Sequence, residues 1–211
     1  MKISRIMNLV IAIVLIALSS LYAITQLSLN KNKEAIRHQA VLSQAVSTMK
    51  DARYYVVQVQ QFLTDMGATR GDDALPEADA SMKSAMQSLK ELENIIPAYR
   101  ARVLELEKKL NNVNKVGREM AYAYIQKGTE AGNNLMKGPG GLDEESAQLA
   151  ESLEKIADEL TAQFAESERV SIAALENSEF LSLISSLISG VVIVGVILIL
   201  RRRILPRSEL A

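Results

Sequence analysis

The chain of 211 residues has no cysteine, no tryptophan and one histidine, His38. Without cysteine there is no disulfide framework, no thiolate metal site and no cysteine nucleophile. Proline occurs four times and aromatic residues make up only 4% of the chain. Long stretches therefore run without a helix breaker, and they are rich in Ala, Leu, Glu, Ser and Lys, a mixture that favours helix over sheet. The formal net charge of −1 supplies no cationic excess, which disfavours nucleic-acid recognition. That balance hides an asymmetry that emerges when the apolar runs are marked.

Two runs carry no charge at all. Ile6 to Thr25 is interrupted only by Asn8, Ser19, Ser20 and Thr25 among polar residues, and Phe180 to Leu200 reads FLSLISSLISGVVIVGVILIL. About twenty helical residues at roughly 1.5 Å each cross a hydrocarbon layer of about 30 Å. Lys2 and Arg5 precede the first run, and Arg201, Arg202, Arg203 and Arg207 follow the second. The positive-inside pattern puts both ends in the cytoplasm and residues 26–179, which carry more carboxylates than cations, outside it. The expected organisation is a cytoplasmic N-terminus at 1–5, a span at 6–25, an extracytoplasmic domain at 26–179, a span at 180–200 and a short tail at 201–211. The first run also has the outline of a signal peptide, with Leu21-Tyr22-Ala23 as its cleavage site. Leu is large for the −3 position and the run exceeds a usual signal core, so an uncleaved anchor is expected.

Between the spans the punctuation is concentrated. Arg70–Pro76, Ile95–Pro97 and Lys137–Asp143 read as turns, and Gly128–Gly132 as a break ahead of the third. The spacing predicts helices over 26–69, 77–95, 98–127 (with a short extension to 137) and 143–179. Each carries an apolar seam stepping by three and four: Val46, Met49, Val56, Val59 and Leu63; Met82, Ala85, Leu89, Leu92 and Ile96; Val103, Leu106, Leu110, Val113, Gly117, Met120 and Tyr124; Leu149, Leu153, Ile156, Leu160 and Phe164. Narrow seams suit helices crossing near 20°. The expected fold is all-α, an up-down-up-down four-helix bundle whose outer helices continue into the two transmembrane helices.

A catalytic constellation is missing. Glu34 and His38 share a helix face at a spacing a metal can use, but the paired Glu-x-x-His motifs of di-iron bundles are absent. Gly138–Gly141 lacks the Lys-Ser/Thr of a phosphate loop. Residues 143–179 hold eleven acidic and two basic residues, read as solvated helix surface. No catalytic residue, metal ligand or cofactor is assigned, and the chain is not expected to be an enzyme. In the second run Ser182, Ser186 and Gly190 repeat every four residues, a spacing at which small side chains let membrane helices approach, across a dimer or against the first span.

Residues 53–71 are unusual. Arg53, Tyr54, Gln58, Gln61, Thr64, Asp65 and Arg70 are interleaved with the core seam, where a helix facing only core and water would show Lys and Glu. These seven are the candidate site: a dimer face, or a face that binds a small ligand with Arg53 or Arg70 opposite an anionic group.

The segment Val57-Gln-Val-Gln-Gln-Phe-Leu-Thr-Asp-Met-Gly-Ala-Thr-Arg-Gly71, with the later stretch Met120-Ala-Tyr-Ala-Tyr-Ile-Gln-Lys-Gly-Thr-Glu-Ala-Gly-Asn133, resembles the sensory half of bacterial methyl-accepting chemotaxis proteins. The resemblance runs from anchor to anchor, and 57–71 carries most of its specificity. It implies a dimer in the inner membrane that binds a small extracytoplasmic ligand and passes a displacement through the fourth helix and second span. Arg201–Pro206 is similar to the start of a HAMP linker, and the few residues that follow are too short for a HAMP bundle or a methylated coiled coil. Output is therefore expected to need a partner, through a homodimer or a heterodimer with a full-length receptor. Two other readings stay open: a membrane-tethered helical scaffold that senses nothing, and the remnant of a truncated receptor, histidine kinase or cyclase.

Overall fold

The computed structural model describes residues 3–204, with side chains for 7–199, 201 and 202. Residues 1, 2 and 205–211, among them Lys2, Pro206 and Arg207, and the side chains of Arg5 and Arg203 lie outside the described residues. Every regular element is helical: α1 (Ile3–Thr69), α2 (Leu75–Ile95), a single 3-10 turn (Pro97–Tyr99), α3 (Arg100–Lys127), α4 (Thr129–Lys137) and α5 (Leu142–Ile204). The chain is all-α. It divides into two compact units, Gln39–Glu166 and the pair of segments 3–38 and 167–204.

Helix ends follow the punctuation. α1 stops at Thr69 because Arg70 takes a left-handed conformation at φ 55°, after which Leu75 N donates to Asp72 O at 3.0 Å. Pro76 lies in the first turn of α2, where its missing N–H costs nothing. Pro97 likewise opens the 3-10 turn that leads into α3. Gly128, at φ 90°, separates α3 from α4; a side chain there would be strained. The break is at Gly128 alone, since Gly132 lies inside α4 with its N–H donating to Gly128 O at 3.2 Å. Asp143, Glu144 and Glu145 occupy the first turn of α5, where the helix dipole favours anions, and Glu144 also accepts from Gly140 N at 2.8 Å.

Within Gln39–Glu166 one apolar core draws from α1, α2, α3 and α5. Met49, Val59 and Leu63 meet Ala85, Leu89 and Leu92, Val103, Leu110, Val113 and Met120, and Leu142, Leu149 and Leu160, each with no exposed area. Alternating steps of three and four put these residues on one face of each helix, and removing them from water stabilises the unit by about 1.5–3 kcal/mol per large side chain. At the start of α3, Tyr99 OH donates to Glu159 Oε1 at 2.8 Å while Arg102 Nη1 donates to Glu159 Oε2 at 2.5 Å. The Arg102 guanidinium also lies 5.1 Å from the centre of the Tyr99 ring. A further ion pair joins Arg118 of α3 to Asp79 of α2.

The Tyr99 cluster yields a pH prediction. Arg102 and then Tyr99, both donating to Glu159, hold its carboxyl below the usual range, and burial pushes the Tyr99 phenol up. A lowered carboxyl contributes stability that is present above its unfolded value and lost as pH falls through the folded one. Both members of the Arg102–Glu159 pair are some two-fifths exposed, so the gain is held to under about 1 kcal/mol. Glu159→Gln is expected to melt below the parent at pH 7, with a smaller gap at pH 3. A gap of equal size at both pH values would refute this.

In the other unit the apolar portions of α1 and α5 are largely exposed: Leu9, Leu15, Ile16, Leu183, Leu187 and Val191 are each more than half accessible. Both helices are long and apolar enough to cross a membrane.

Candidate functional site

Residues 53–69 occupy the last turns of α1, with Arg70 and Gly71 just beyond its end, and the helix period sorts them. Val56, Val59, Leu63 and Met66 enter the core. Tyr54, Val57, Gln61 and Asp65 are exposed on the opposite side, with Gln58 half-buried beside them. Tyr54 and Val57 are 59% and 58% exposed, which makes this an apolar-polar surface rather than a charged one. Gln58 Nε2 donates to Gln61 Oε1 at 3.4 Å, and the Tyr54 and Tyr55 rings meet edge to face at 5.2 Å.

The remaining candidates are placed differently. The Thr64 hydroxyl turns back on its own helix, donating to Gln60 O at 2.8 Å. Arg53 is exposed, and Arg70 Nη2 donates to Thr129 Oγ1 at 2.8 Å. About 24 Å of helix separates Arg53 from the end of α1, so one small anion does not reach both arginines. Tyr54, Gln58, Gln61 and Asp65 form a continuous outer stripe, with Arg53 on its flank and Arg70 tied to α4 beyond its end.

The contact that organises this end of the unit was not among the candidates. The Tyr124 ring packs closely against both Gly67 of α1 and Gly132 of α4: a Cβ on Gly67 would stand 2.9 Å from Tyr124 Cδ2, and one on Gly132 would stand 2.2 Å from Cγ. Tyr124 OH then donates to Asn133 Oδ1 at 2.5 Å and approaches Met136 Sδ at 3.8 Å. The stretches 57–71 and 120–133 thus pack directly on one another, through Tyr124 and through Arg70–Thr129. The available sequence signal was a pair of glycines on helix faces that otherwise carry side chains.

Outside this region, His38 Nδ1 lies 3.1 Å from Ser167 Oγ, and no group of three or more His, Asp or Glu residues suited to a metal occurs among the described residues. Ser182, Ser186 and Gly190 are all exposed, and a Cβ on Gly190 would meet nothing within 4 Å. The side of α5 that is buried in this unit instead carries Ser171 and Ser189, with Ala174, Ser178 and Ser185 half-buried along it. Ser28 Oγ donates to Ser178 Oγ at 2.6 Å, and Ser178 Oγ donates to Asn32 Oδ1 at 3.4 Å.

Compared with protein-family models, curated proteins and solved structures, the chain matches none.

Proposed function

We propose that this chain is a membrane-anchored sensor module of the kind found in methyl-accepting chemotaxis proteins. On this reading, residues 26–179 form an up-down-up-down four-helix bundle on the extracytoplasmic side of a bacterial inner membrane. Transmembrane helices at 6–25 and 180–200 continue from its outer helices, with both termini cytoplasmic. A small ligand binds outside the membrane, and the signal passes as a displacement of α5 through the second span. The module carries out no catalysis and uses no cofactor.

The observation that carries the reading is the outer stripe of α1. Tyr54 and Val57 are more than half exposed on a helix whose opposite face has no accessible area from Val59 to Met66. Aromatic residues are enriched, and Lys and Glu depleted, at the core of protein interfaces. The stripe is accordingly the dimer face, pairing with a second copy or with a full-length receptor, and Arg53 on its flank is the cation available to an anionic ligand. Four-helix sensing domains that share this organisation serve several outputs, so the stripe supports dimeric sensing in general and names no ligand.

One experiment reads both halves of the proposal. A single cysteine replacing Gln61 in the full chain, oxidised in membranes, is expected to form a disulfide-linked dimer. A screen of organic acids, amino acids and divalent ions is expected to find a compound that raises the apparent Tm with concentration and changes the cross-linking rate. Absence of dimer at both Gln61 and Gln58 positions would remove the dimer face. A Tm rise unchanged by Arg53→Ala and by Arg70→Ala would remove the arginines from ligand binding.

A further inference from the structure

This inference rests on the reading that α1 and α5 cross a membrane and uses nothing about sensing. Within the unit of residues 3–38 and 167–204, the two helices run antiparallel: Ser28 pairs with Ser178 and His38 with Ser167, so the partner number falls as that of α1 rises. Their contact is a polar seam, with Ser178 bonded to both Ser28 and Asn32. A groove opens on each flank of the seam.

One groove, of about 440 Å³, is lined by Leu27, Lys31 and Asn32 of α1 and by Asn177, Ser178 and Leu181 of α5, with the leucines on the side of the apolar runs. The polarity gradient is built twice, since Lys31 stands one turn beyond Leu27 and Asn177 one turn before Leu181 along the same faces. The first charged residues on the outer side of the two apolar runs are Lys31 on α1 and Glu179 on α5. The leucine pair is therefore at the edge of the hydrocarbon, and the Lys31–Asn177 pair lies about 6 Å farther out, in the headgroup layer. Lys31 is exposed and forms no ion pair among the described residues. The opposite groove, of about 410 Å³, carries Glu179 and no cation along its lining.

We propose that the Lys31 groove is a binding site for a phospholipid, with the headgroup phosphate held by the Lys31 ammonium and the Asn177 amide and an acyl chain lying along Leu27 and Leu181. An ammonium and an amide donor complement a phosphodiester, and a neighbouring apolar floor selects a phosphate that carries a hydrocarbon tail. The Glu179 groove carries the wrong charge, so the phosphate goes to one flank only.

The test uses the purified full chain, equilibrated with phosphatidylglycerol and with diacylglycerol of matched acyl chains, and native mass spectrometry to read retained adducts. One phosphatidylglycerol is expected to stay bound where diacylglycerol does not. Lys31→Gln is expected to weaken retention about fivefold, and Glu179→Gln to leave it unchanged. Millimolar glycerophosphate is expected not to displace the lipid. Complete displacement would mean a phosphate site that needs no tail, which overturns the lipid assignment. Equal retention by Lys31→Gln and the parent, or equal retention of diacylglycerol, overturns the site. Alkaline carbonate extraction of membranes separates the two levels: a chain that is released removes the membrane reading and the proposal with it, whereas a retained chain with unaltered Lys31→Gln adducts overturns the groove alone.

Discussion

Leu63→Ala is expected to lower the stability of the Gln39–Glu166 unit by about 2–5 kcal/mol, in the upper part of that range. Leu63 has no accessible area, and its Cδ1 occupies the space that a Cβ on Gly117 would fill, at 2.6 Å, with Leu142 Cδ1 next to the same position at 3.3 Å. The side chain therefore closes the junction of α1, α3 and α5. Truncation leaves a void against a residue that has no side chain to move into it, and voids that do not collapse are the costly ones. Leu104→Ala supplies the control, since Leu104 is 45% exposed on α3 and its loss is expected to cost within about 0.5 kcal/mol. Urea unfolding of the detergent-solubilised chain, followed by circular dichroism, separates the two. Equal midpoints for the variants would show that the junction repacks.

Gly132→Ala reverses the usual sign of a glycine replacement. Inside an exposed helix, Gly to Ala stabilises by about 0.5–1 kcal/mol, because Ala loses less backbone freedom on folding. At Gly132 the added methyl would stand 2.2–2.4 Å from three atoms of the Tyr124 ring. A ring that also packs closely against Gly67 has little room to retreat, so the overpacking cost, about 1–3 kcal/mol, exceeds the propensity gain. The variant is expected to melt below the parent and to be cut by protease within α4. Pairing it with Tyr124→Ala should recover part of the loss, giving a coupling energy of about 1 kcal/mol or more between the two positions. If Gly132→Ala raised the Tm, α4 would not be docked on the ring in solution.

The two predictions differ in how far they were visible in the primary structure. Leu63 stands in a seam with Val56 and Val59 that the three-and-four spacing picks out, because the helix period assigns a face to each residue before any partner is known. The turn residues were equally readable: Pro76, Pro97 and Gly128 act through their own φ and N–H groups, which are local properties. Tyr124 was legible only as the last member of the α3 seam. That its ring packs against both Gly67 and Gly132 depends on how the ends of α1, α3 and α4 meet, and a position fifty-seven residues away has no signature in local spacing. The same holds for Arg70, whose partner Thr129 lies across that junction. The four-residue repeat of Ser182, Ser186 and Gly190 is a further instance. Spacing showed that the three share a face, whereas only packing shows that they are exposed here and that the seam with α1 runs through Ser178.

What the sequence by itself determined is therefore what one helix can carry alone: the all-helical class, the two apolar stretches long enough to cross a membrane, the helix ends and the inward face of each helix. These follow from backbone torsions and a 3.6-residue period, which act over a turn or two. The tertiary structure decided which faces meet. It placed Tyr124 against two glycines and Arg70 on Thr129, left the Tyr54–Asp65 stripe uncovered, and opened a groove with Lys31 on one side of a serine seam and Glu179 on the other. Those juxtapositions depend on the rotation and register of whole helices, which the summed packing of many side chains sets and no short run of residues specifies.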